Sequence, residues 1–179
     1  MPAPGPAAWP RLDTDRDGYR RVRVTGRWDG ARATPVQAVT GRGEGYWLLT
    51  PLTTPAGWTV LVNRGFVPAG AARPDGPPGP VTITGLLRLT EPGGAFLRPN
   101  DPAADRWYSR DVAAIARTRG LAPVAPYFID ADATPNAGGL PVGGLTVVRF
   151  RNAHLSYALT WFALAGLSAW GLWFLLRRG

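Results

Sequence analysis

An uncharged, apolar stretch near the C-terminus constrains this chain more than any other feature. Residues 155–176 form a run of 22 residues without a single charge. A helix of that length rises about 33 Å, which exceeds the hydrocarbon core of a bilayer at about 30 Å. Tyr157 and Trp161 lie toward one end and Trp170 and Trp173 toward the other, where membrane proteins place aromatic belts. The sequence therefore predicts a C-terminal transmembrane helix.

The charges around this stretch do not orient it. Arg149 and Arg151 precede it and Arg177 and Arg178 follow it, so the positive-inside rule gives no preference. The chain begins Met-Pro-Ala-Pro, without the charged and apolar regions of a signal peptide. Taken alone, these features describe a tail-anchored protein whose domain stays in the cytoplasm.

The composition of the remaining residues favours short strands and turns. The chain contains 23 Gly and 19 Pro, too many for a helical bundle, and 45% hydrophobic residues, enough for a packed core. It contains no Cys, which excludes disulfides, thiolate metal sites, iron–sulfur clusters and thiol catalysis.

The positive charge does not indicate a nucleic-acid partner. The net charge is +8, but four of the 20 basic residues, all Arg, flank the apolar stretch. Residues 1–148 carry 16 Arg against 12 acids, a net charge of +4 spread along the chain. Arg21 and Arg23 would share one face of a strand, as a solvated or lipid-facing surface would. We expect no nucleic-acid partner and a membrane-lipid contact.

Alternating and continuous apolar runs predict six short strands. The predicted strands are 19–28, 45–52, 57–67, 81–90, 126–130 and 145–150. Their spacing is typical of an antiparallel barrel or sandwich, so the fold class is a mainly β domain with one short helix and a transmembrane helix. We expect an extended lead-in over 1–18, a β-rich extramembrane domain over 19–151, and the transmembrane helix with a short basic tail over 152–179.

The one short helix is predicted over residues 110–119. Ser109 can cap its first turn, Asp111 suits the positive end of the helix dipole, and Gly120 provides a C-terminal stop.

Acidic residues offer candidate chemistry that the spacing does not support. Residues 13–18, DTDRDG, match the first half of a calcium-binding loop, but Arg21 and Val24 occupy positions that need oxygen ligands. We interpret this segment as a solvated acidic turn. No histidine or nucleophile adjoins the other carboxylates, so turn and cap roles are expected for them. These carboxylates are Asp101, Asp105, Asp111, Asp130 and Asp132.

Arg64 and His154 are the candidate ligand-binding residues. Arg64 lies near the end of an apolar strand, where its guanidinium must reach solvent or find carboxylate or carbonyl acceptors. Its candidate roles are a structural ion pair and contact with an anion such as a propionate. His154 is the only histidine and the only side chain suited to bind a haem iron. In a helix, Tyr157 and Trp161 lie on its face, either as an interfacial anchor or as a wall for an apolar macrocycle.

Several ordered motifs resemble the Surfeit locus protein 1 family of cytochrome c oxidase assembly factors. The motifs are VNRGFVP (62–68), WYSRD (107–111), PVGG (141–144) and NAHLSYALTWF (152–162). The similarity runs from residue 19 to residue 165 in consistent order.

The resemblance implies an inner-membrane protein with two transmembrane helices and a β-rich domain between them, facing the periplasm or intermembrane space. The first of these helices is not in this sequence. Either about 20 apolar residues lie upstream of residue 1, which we expect, or the protein has a single span. The family's haem-contacting histidine falls on His154. Arg64, Gly65, Trp107 and Tyr108 fall on motif positions without established catalytic roles.

The resemblance further implies a non-enzymatic factor that helps deliver haem a to subunit I of the oxidase during respiratory chain biogenesis. Its partners would be subunit I and haem a synthase, and haem a would bind transiently, without any other metal. The expected contacts are His154 with the iron and Tyr157, Trp161 and Arg64 with the rest of the haem. The alternative is a cofactor-free, membrane-anchored scaffold in the same assembly pathway.

Overall fold

The chain divides into two compact units, Met1–Val147 and Val148–Gly179. The computed structural model describes residues 1–95, 98–136, 138–146 and 154–178. The first unit is β-rich and the second is a single long helix, and each is described by itself.

The described residues of the first unit contain eight strands and two α-helices. The strands are β1 Arg21–Trp28, β2 Thr34–Thr40, β3 Gly43–Thr53, β4 Thr59–Pro68, β5 Pro80–Leu89, β6 Gly94–Ala95, β7 Arg98–Pro99 and β8 Val124–Ala131. The helices are α1 Thr14–Asp17 and α2 Val112–Arg119, and short 3-10 turns lie at Pro6–Arg11, Gly30–Arg32 and Pro102–Ala104.

Five of the strands close into a barrel. The sheet order is β1-β5-β8-β4-β3-β2, and β1 also pairs with β3 through Arg27↔Thr53 and Trp28↔Leu52. Among the strands that the structure describes, neighbours are antiparallel except β4 and β8, which run parallel; β5 and α2 lie between them in sequence and form the crossover that a parallel pair needs. This order is that of a partly open Greek-key barrel of the OB type. The structure thus confirms the mainly β fold class and identifies a barrel rather than a sandwich.

Alternation along the strands separates two apolar clusters. In β1, Val22 and Val24 point into the barrel while Arg21 and Arg23 are exposed, as their period of two predicts. β4 is buried on both faces: Val60 and Val62 join the barrel interior, and Leu61 joins a second cluster outside it. Burial on both faces explains why the sequence of β4 is almost continuously apolar.

Helix α2 covers the outer cluster. Its Ile115 packs there with Trp107 and with Phe128 of β8. The helix begins at Val112 because Asp111, not the predicted Ser109, is its N-cap, accepting a hydrogen bond from the backbone of Ala114 at 3.0 Å. The predicted stop at Gly120 is confirmed, with a left-handed backbone at φ 62°.

The first 18 residues are not the extended lead-in that the sequence predicts. They form the turn Pro6–Arg11 and helix α1, and they pack on the barrel. Trp9 meets Trp58 edge to face at 5.9 Å between ring centroids, and the Tyr127 hydroxyl donates to the Pro4 carbonyl at 2.7 Å. The Trp9 indole and the Tyr127 phenol hold this segment against the barrel, which the proline-rich sequence does not reveal.

The predicted strand over 145–150 lies mostly outside the described residues. Leu145 and Thr146 are described, and neither belongs to a strand.

The described residues of the second unit form one helix, α3 His154–Arg178. Its portion Tyr157–Arg177 is 21 residues long and apolar enough to cross a membrane. Most of the large apolar side chains described along it are exposed, as in a helix that lies against lipid.

Candidate functional site

The predicted site residues fall in the two different units. Arg64 lies in β4 of the barrel, and His154, Tyr157 and Trp161 lie in α3.

Arg64 is a buried cation near the end of β4, with only 3% of its surface exposed. Its Nη1 donates to the Pro74 carbonyl at 2.5 Å, and its Nη2 donates to Asn136 Oδ1 at 3.4 Å. The guanidinium carbon lies 5.1 Å from the centroid of the Trp28 ring, a cation–π contact. The Arg64 Nε is buried and has no hydrogen-bond partner among the residues described.

The structural ion pair, one of the two roles that the sequence allows for Arg64, is not formed. Within the described ranges, no carboxylate lies at ion-pairing distance from Arg64. Burial lowers the pKa of the Arg64 guanidinium, and the negative charge of Asp75 partly offsets this effect. The guanidinium is held instead by carbonyl oxygens and an aromatic face.

A cavity of about 230 Å³ adjoins Arg64. Trp28, Ile83, Thr84 and Asn136 contribute to its wall. Pockets that enclose drug-sized ligands have volumes of about 300–1,000 Å³. This cavity therefore suits a small group and cannot enclose a macrocycle.

The residue after Arg64 holds the PVGG segment against the barrel. Gly65 adopts φ 127°, and a Cβ there would collide with the Val142 carbonyl. Phe66 and Val142 exchange two backbone hydrogen bonds, each of 2.9 Å. Only glycine permits this close approach, which explains a glycine at the family motif position.

A buried polar network lies at the neighbouring end of β8. Asp130 is 2% exposed and accepts hydrogen bonds from Asn63 Nδ2 at 2.8 Å, Arg88 Nη1 at 3.0 Å and Thr146 Oγ1 at 2.8 Å. Arg110 Nη1 lies 3.5 Å from Asp130 Oδ1, the oxygen that also accepts from Asn63. The turn or cap role that the sequence suggests for Asp130 is therefore wrong.

Glu91 completes this network between two arginines. It pairs with Arg88 Nη2 at 2.8 Å and with Arg110 through two hydrogen bonds of 2.7 and 2.8 Å. Both guanidinium groups also face the Phe128 ring. Arg88 and Glu91 are three residues apart, but the other bonded pairs are separated by 16 to 67 residues, so local spacing does not predict the network as a whole.

The acidic turn over residues 13–18 is only partly solvated. Asp13 caps α1 through the backbone of Asp15 and Arg16, but Asp17 is buried and pairs with Arg16 at 2.8 Å and Arg20 at 2.9 Å. The hydrogen bond from Arg16, followed by that from the Asp13 backbone, lowers the pKa of Asp17. The prediction of a solvated turn is wrong for this residue.

The remaining acidic candidates have local or surface roles. Asp101 caps the turn Pro102–Ala104, Asp111 caps α2, and Asp132 pairs with Arg21 at 3.1 Å on the surface. Asp105 accepts a hydrogen bond from Trp107 Nε1 at 2.8 Å. Cap and surface roles thus account for these four carboxylates.

The motif residues Trp107 and Tyr108 serve the packing of the barrel. Trp107 is buried, and its carbonyl accepts a 2.8 Å hydrogen bond from the Gln37 backbone on β2. The backbone N–H of Tyr108 donates to Asn100 Oδ1 at 2.8 Å. Trp107 belongs to the outer cluster, and these backbone hydrogen bonds fix the segment around it, which indicates a structural role.

The second unit carries the predicted haem-contacting residues. Tyr157 and Trp161 are exposed and lie one turn apart on α3. His154 is the first residue of α3, and its side chain lies outside the part of the chain that the structure describes. Across the described ranges, no group of three or more His, Asp or Glu side chains is arranged to hold a metal ion.

Known proteins resemble the chain over nearly its whole length. Surfeit locus protein 1 of Mus musculus is 36% identical over 177 residues, which cover 87% of this chain and 56% of that protein. Surfeit locus protein 1 of Homo sapiens is 35% identical, covering 87% of this chain and 58% of that protein. The SURF1-like protein of Monosiga brevicollis is 36% identical, covering 97% of this chain and 72% of that protein.

The chain spans a little over half the length of the mouse and human relatives. The SURF1 family matches residues 1–166, which include the whole barrel and the beginning of α3. Because this match covers most of the chain and agrees with the VNRGFVP and PVGG contacts, the chain belongs to the SURF1 family.

Proposed function

We propose that this protein is a membrane-anchored, non-catalytic factor in the assembly of cytochrome c oxidase. Membership of the SURF1 family is the observation that carries this proposal. The apolar helix α3 supports it, because a factor that serves a membrane enzyme needs a place at the bilayer. In this proposal the protein resides in the inner membrane, with the barrel on the periplasmic side.

The cargo in this proposal is haem a, bound transiently at the beginning of α3. His154 provides an imidazole, the nitrogen ligand that proteins commonly offer to haem iron. Tyr157 and Trp161 follow it by three and seven residues, and their exposed rings suit packing against an apolar macrocycle. The cavity at Arg64 lies in the barrel and is too small for the macrocycle.

Binding and positioning are the only activities that the proposal assigns. The cargo would pass from haem a synthase to subunit I of the oxidase, which requires a site that both proteins can reach. The exposed aromatic face on α3 meets this requirement.

The test measures haem a binding by the full chain and by three variants. His154→Ala removes the iron ligand and Trp161→Leu removes an aromatic wall, so each should weaken affinity by about tenfold or more. Trp173→Leu, near the other end of the same helix, is the matched control and should bind normally. Optical titration of detergent-solubilised protein with haem a gives the affinities and the spectra.

Identical spectra and affinities for the protein and His154→Ala would remove His154 from the mechanism. The scaffold alternative makes a different prediction: co-purification with subunit I but no haem a after isolation from cells that produce it. Deletion of the gene, followed by an optical haem a spectrum of the membranes, tests the assembly role itself. An unchanged spectrum would contradict that role.

A further inference from the structure

Arg64 is a buried charge that lacks a counter-ion. Burying a charge without an opposite charge is costly, because carbonyl dipoles replace only part of the lost hydration. The Arg64 guanidinium has two carbonyl-type acceptors and the Trp28 face, and its Nε–H has no acceptor within the described part of the chain. The fold therefore maintains a strained electrostatic arrangement at this position.

Two other partly buried arginines of the barrel do have carboxylate partners. Arg88 and Arg110 are more exposed than Arg64, yet both pair with Asp130 and Glu91. The residues that the structure leaves undescribed contain no Asp or Glu, so none of their side chains can supply a carboxylate to Arg64. Within the described ranges Asp75 acts on Arg64 only from beyond ion-pairing distance, so a bound ligand is a source of a directly paired carboxylate.

The adjoining cavity limits what that partner can be. Its volume is about 230 Å³, and Trp28, Val81, Ile83 and Ala131 contribute to its wall, with Thr84 among the polar contributors. A largely apolar wall around one cation suits a ligand with a single charge and a short hydrocarbon part.

We propose that this cavity binds a carboxylate carried on a short apolar arm, with the Arg64 guanidinium as its counter-ion. The two oxygens of a carboxylate match the fork of donors on a guanidinium. The apolar arm lies against Trp28 and Ile83, and Thr84 contributes its side chain to the same wall.

A phosphate fits the site less well because of the acids nearby. Asp132 lines the cavity, although it is paired with Arg21, and Asp75 is close enough to affect the Arg64 pKa. A doubly charged anion would be repelled by both, and one cation would neutralise half of its charge. A monocarboxylate avoids this imbalance.

The test titrates the detergent-solubilised full chain with butyrate and with inorganic phosphate. Butyrate should raise the melting temperature and shift the Nε–H resonance of Arg64 in a nitrogen-edited NMR spectrum. Arg64→Met should weaken butyrate binding by about 10- to 150-fold, the range for a hydrogen bond to a charged group. Arg23→Met removes an exposed charge from β1 and should bind butyrate normally.

Arg64→Lys retains the charge and replaces Arg64→Met in the test if Arg64→Met does not fold. It should bind butyrate more weakly than the native chain. The absence of butyrate binding at millimolar concentrations would overturn the proposal. Equal butyrate binding by Arg64→Met, or tighter binding of phosphate than of butyrate, would do the same.

The natural carboxylate has two candidate sources, a porphyrin propionate and a free short-chain acid. Haemin and its dimethyl ester differ only at the propionates, so a preference for haemin that disappears in Arg64→Met identifies the porphyrin. Butyrate binding with equal affinity for haemin and its ester identifies the free acid. The butyrate titration requires no haem. A negative butyrate result and a negative result for haem a binding at α3 can therefore be told apart.

Discussion

Replacement of Asp130 tests whether the buried polar network stabilises the barrel. Asp130→Ala removes the acceptor of three hydrogen bonds, including one from Arg88, and leaves Arg88 and Arg110 with Glu91 as their only common carboxylate among the described residues. Breaking a buried ion pair on one side costs about 3–5 kcal/mol. Asp130→Asn retains one acceptor oxygen and should cost less, about 1.5–3 kcal/mol.

Asp132→Asn is the matched control, two residues further along the chain. Asp132 pairs with Arg21 at 3.1 Å, and the Arg21 side chain is 70% exposed. Exposed ion pairs contribute about 0–1 kcal/mol. Asp130→Asn and Asp132→Asn thus make the same substitution at nearly the same place, with the environment as the main variable.

Thermal unfolding of the full chain, followed by circular dichroism, measures the difference. At about 2–4 °C per kcal/mol, Asp130→Ala should lower the melting temperature by about 6–20 °C and Asp132→Asn by no more than about 4 °C. Equal losses for the two variants would refute the reasoning, because burial would then have no influence on the contribution of the carboxylate.

Two further predictions concern the backbone at the end of β4 and the acidic turn. Gly65→Ala should destabilise the barrel by about 1–3 kcal/mol or more, because φ 127° is strained for alanine and its Cβ would collide with Val142; urea unfolding measures this loss. Asp17→Asn should destabilise the chain at neutral pH but have less effect in acid, because the pKa of Asp17 is lowered from its ordinary 3.8 by Arg16 and Arg20. The stabilisation is complete above that value and is lost as the pH falls below it, which melting temperatures from neutral to acidic pH detect.

A second glycine and a second aspartate provide the controls for these two predictions. Gly41→Ala introduces a Cβ with nothing within 4 Å and should leave stability nearly unchanged. Asp15→Asn removes an exposed acid from the same turn as Asp17 and should cost little at any pH. A tolerated Gly65→Ala, or a destabilisation by Asp17→Asn that persists in acid, would contradict the respective mechanism.

The strands were predictable because their signals are local. Alternation of Val22 and Val24 with Arg21 and Arg23 predicts a half-buried strand, and β1 has that burial pattern. The apolar stretch after His154 similarly predicts a long helix from length and composition alone. Each signal needs only the period of the backbone, which neighbouring residues fix without reference to the rest of the fold.

The candidate site was predictable only in part. The sequence identified Arg64 as a guanidinium in an apolar strand that needs an acceptor, and burial confirms that need. It did not indicate that the acceptors would be Pro74 and Asn136, which are 10 and 72 residues away. It also gave no sign that Asp130 would be central to a buried network.

By itself, the sequence determined the apolar C-terminal helix, the positions of most strands, the family, and the presence of a lone histidine at the start of α3. The tertiary structure decided that the strands close into a barrel, that β4 and β8 run parallel, and that Asp130 is paired whereas Arg64 is not. The physical reason is distance along the chain. Secondary structure follows from contacts between near neighbours, but the partner of a buried charge is chosen when remote strands pack together.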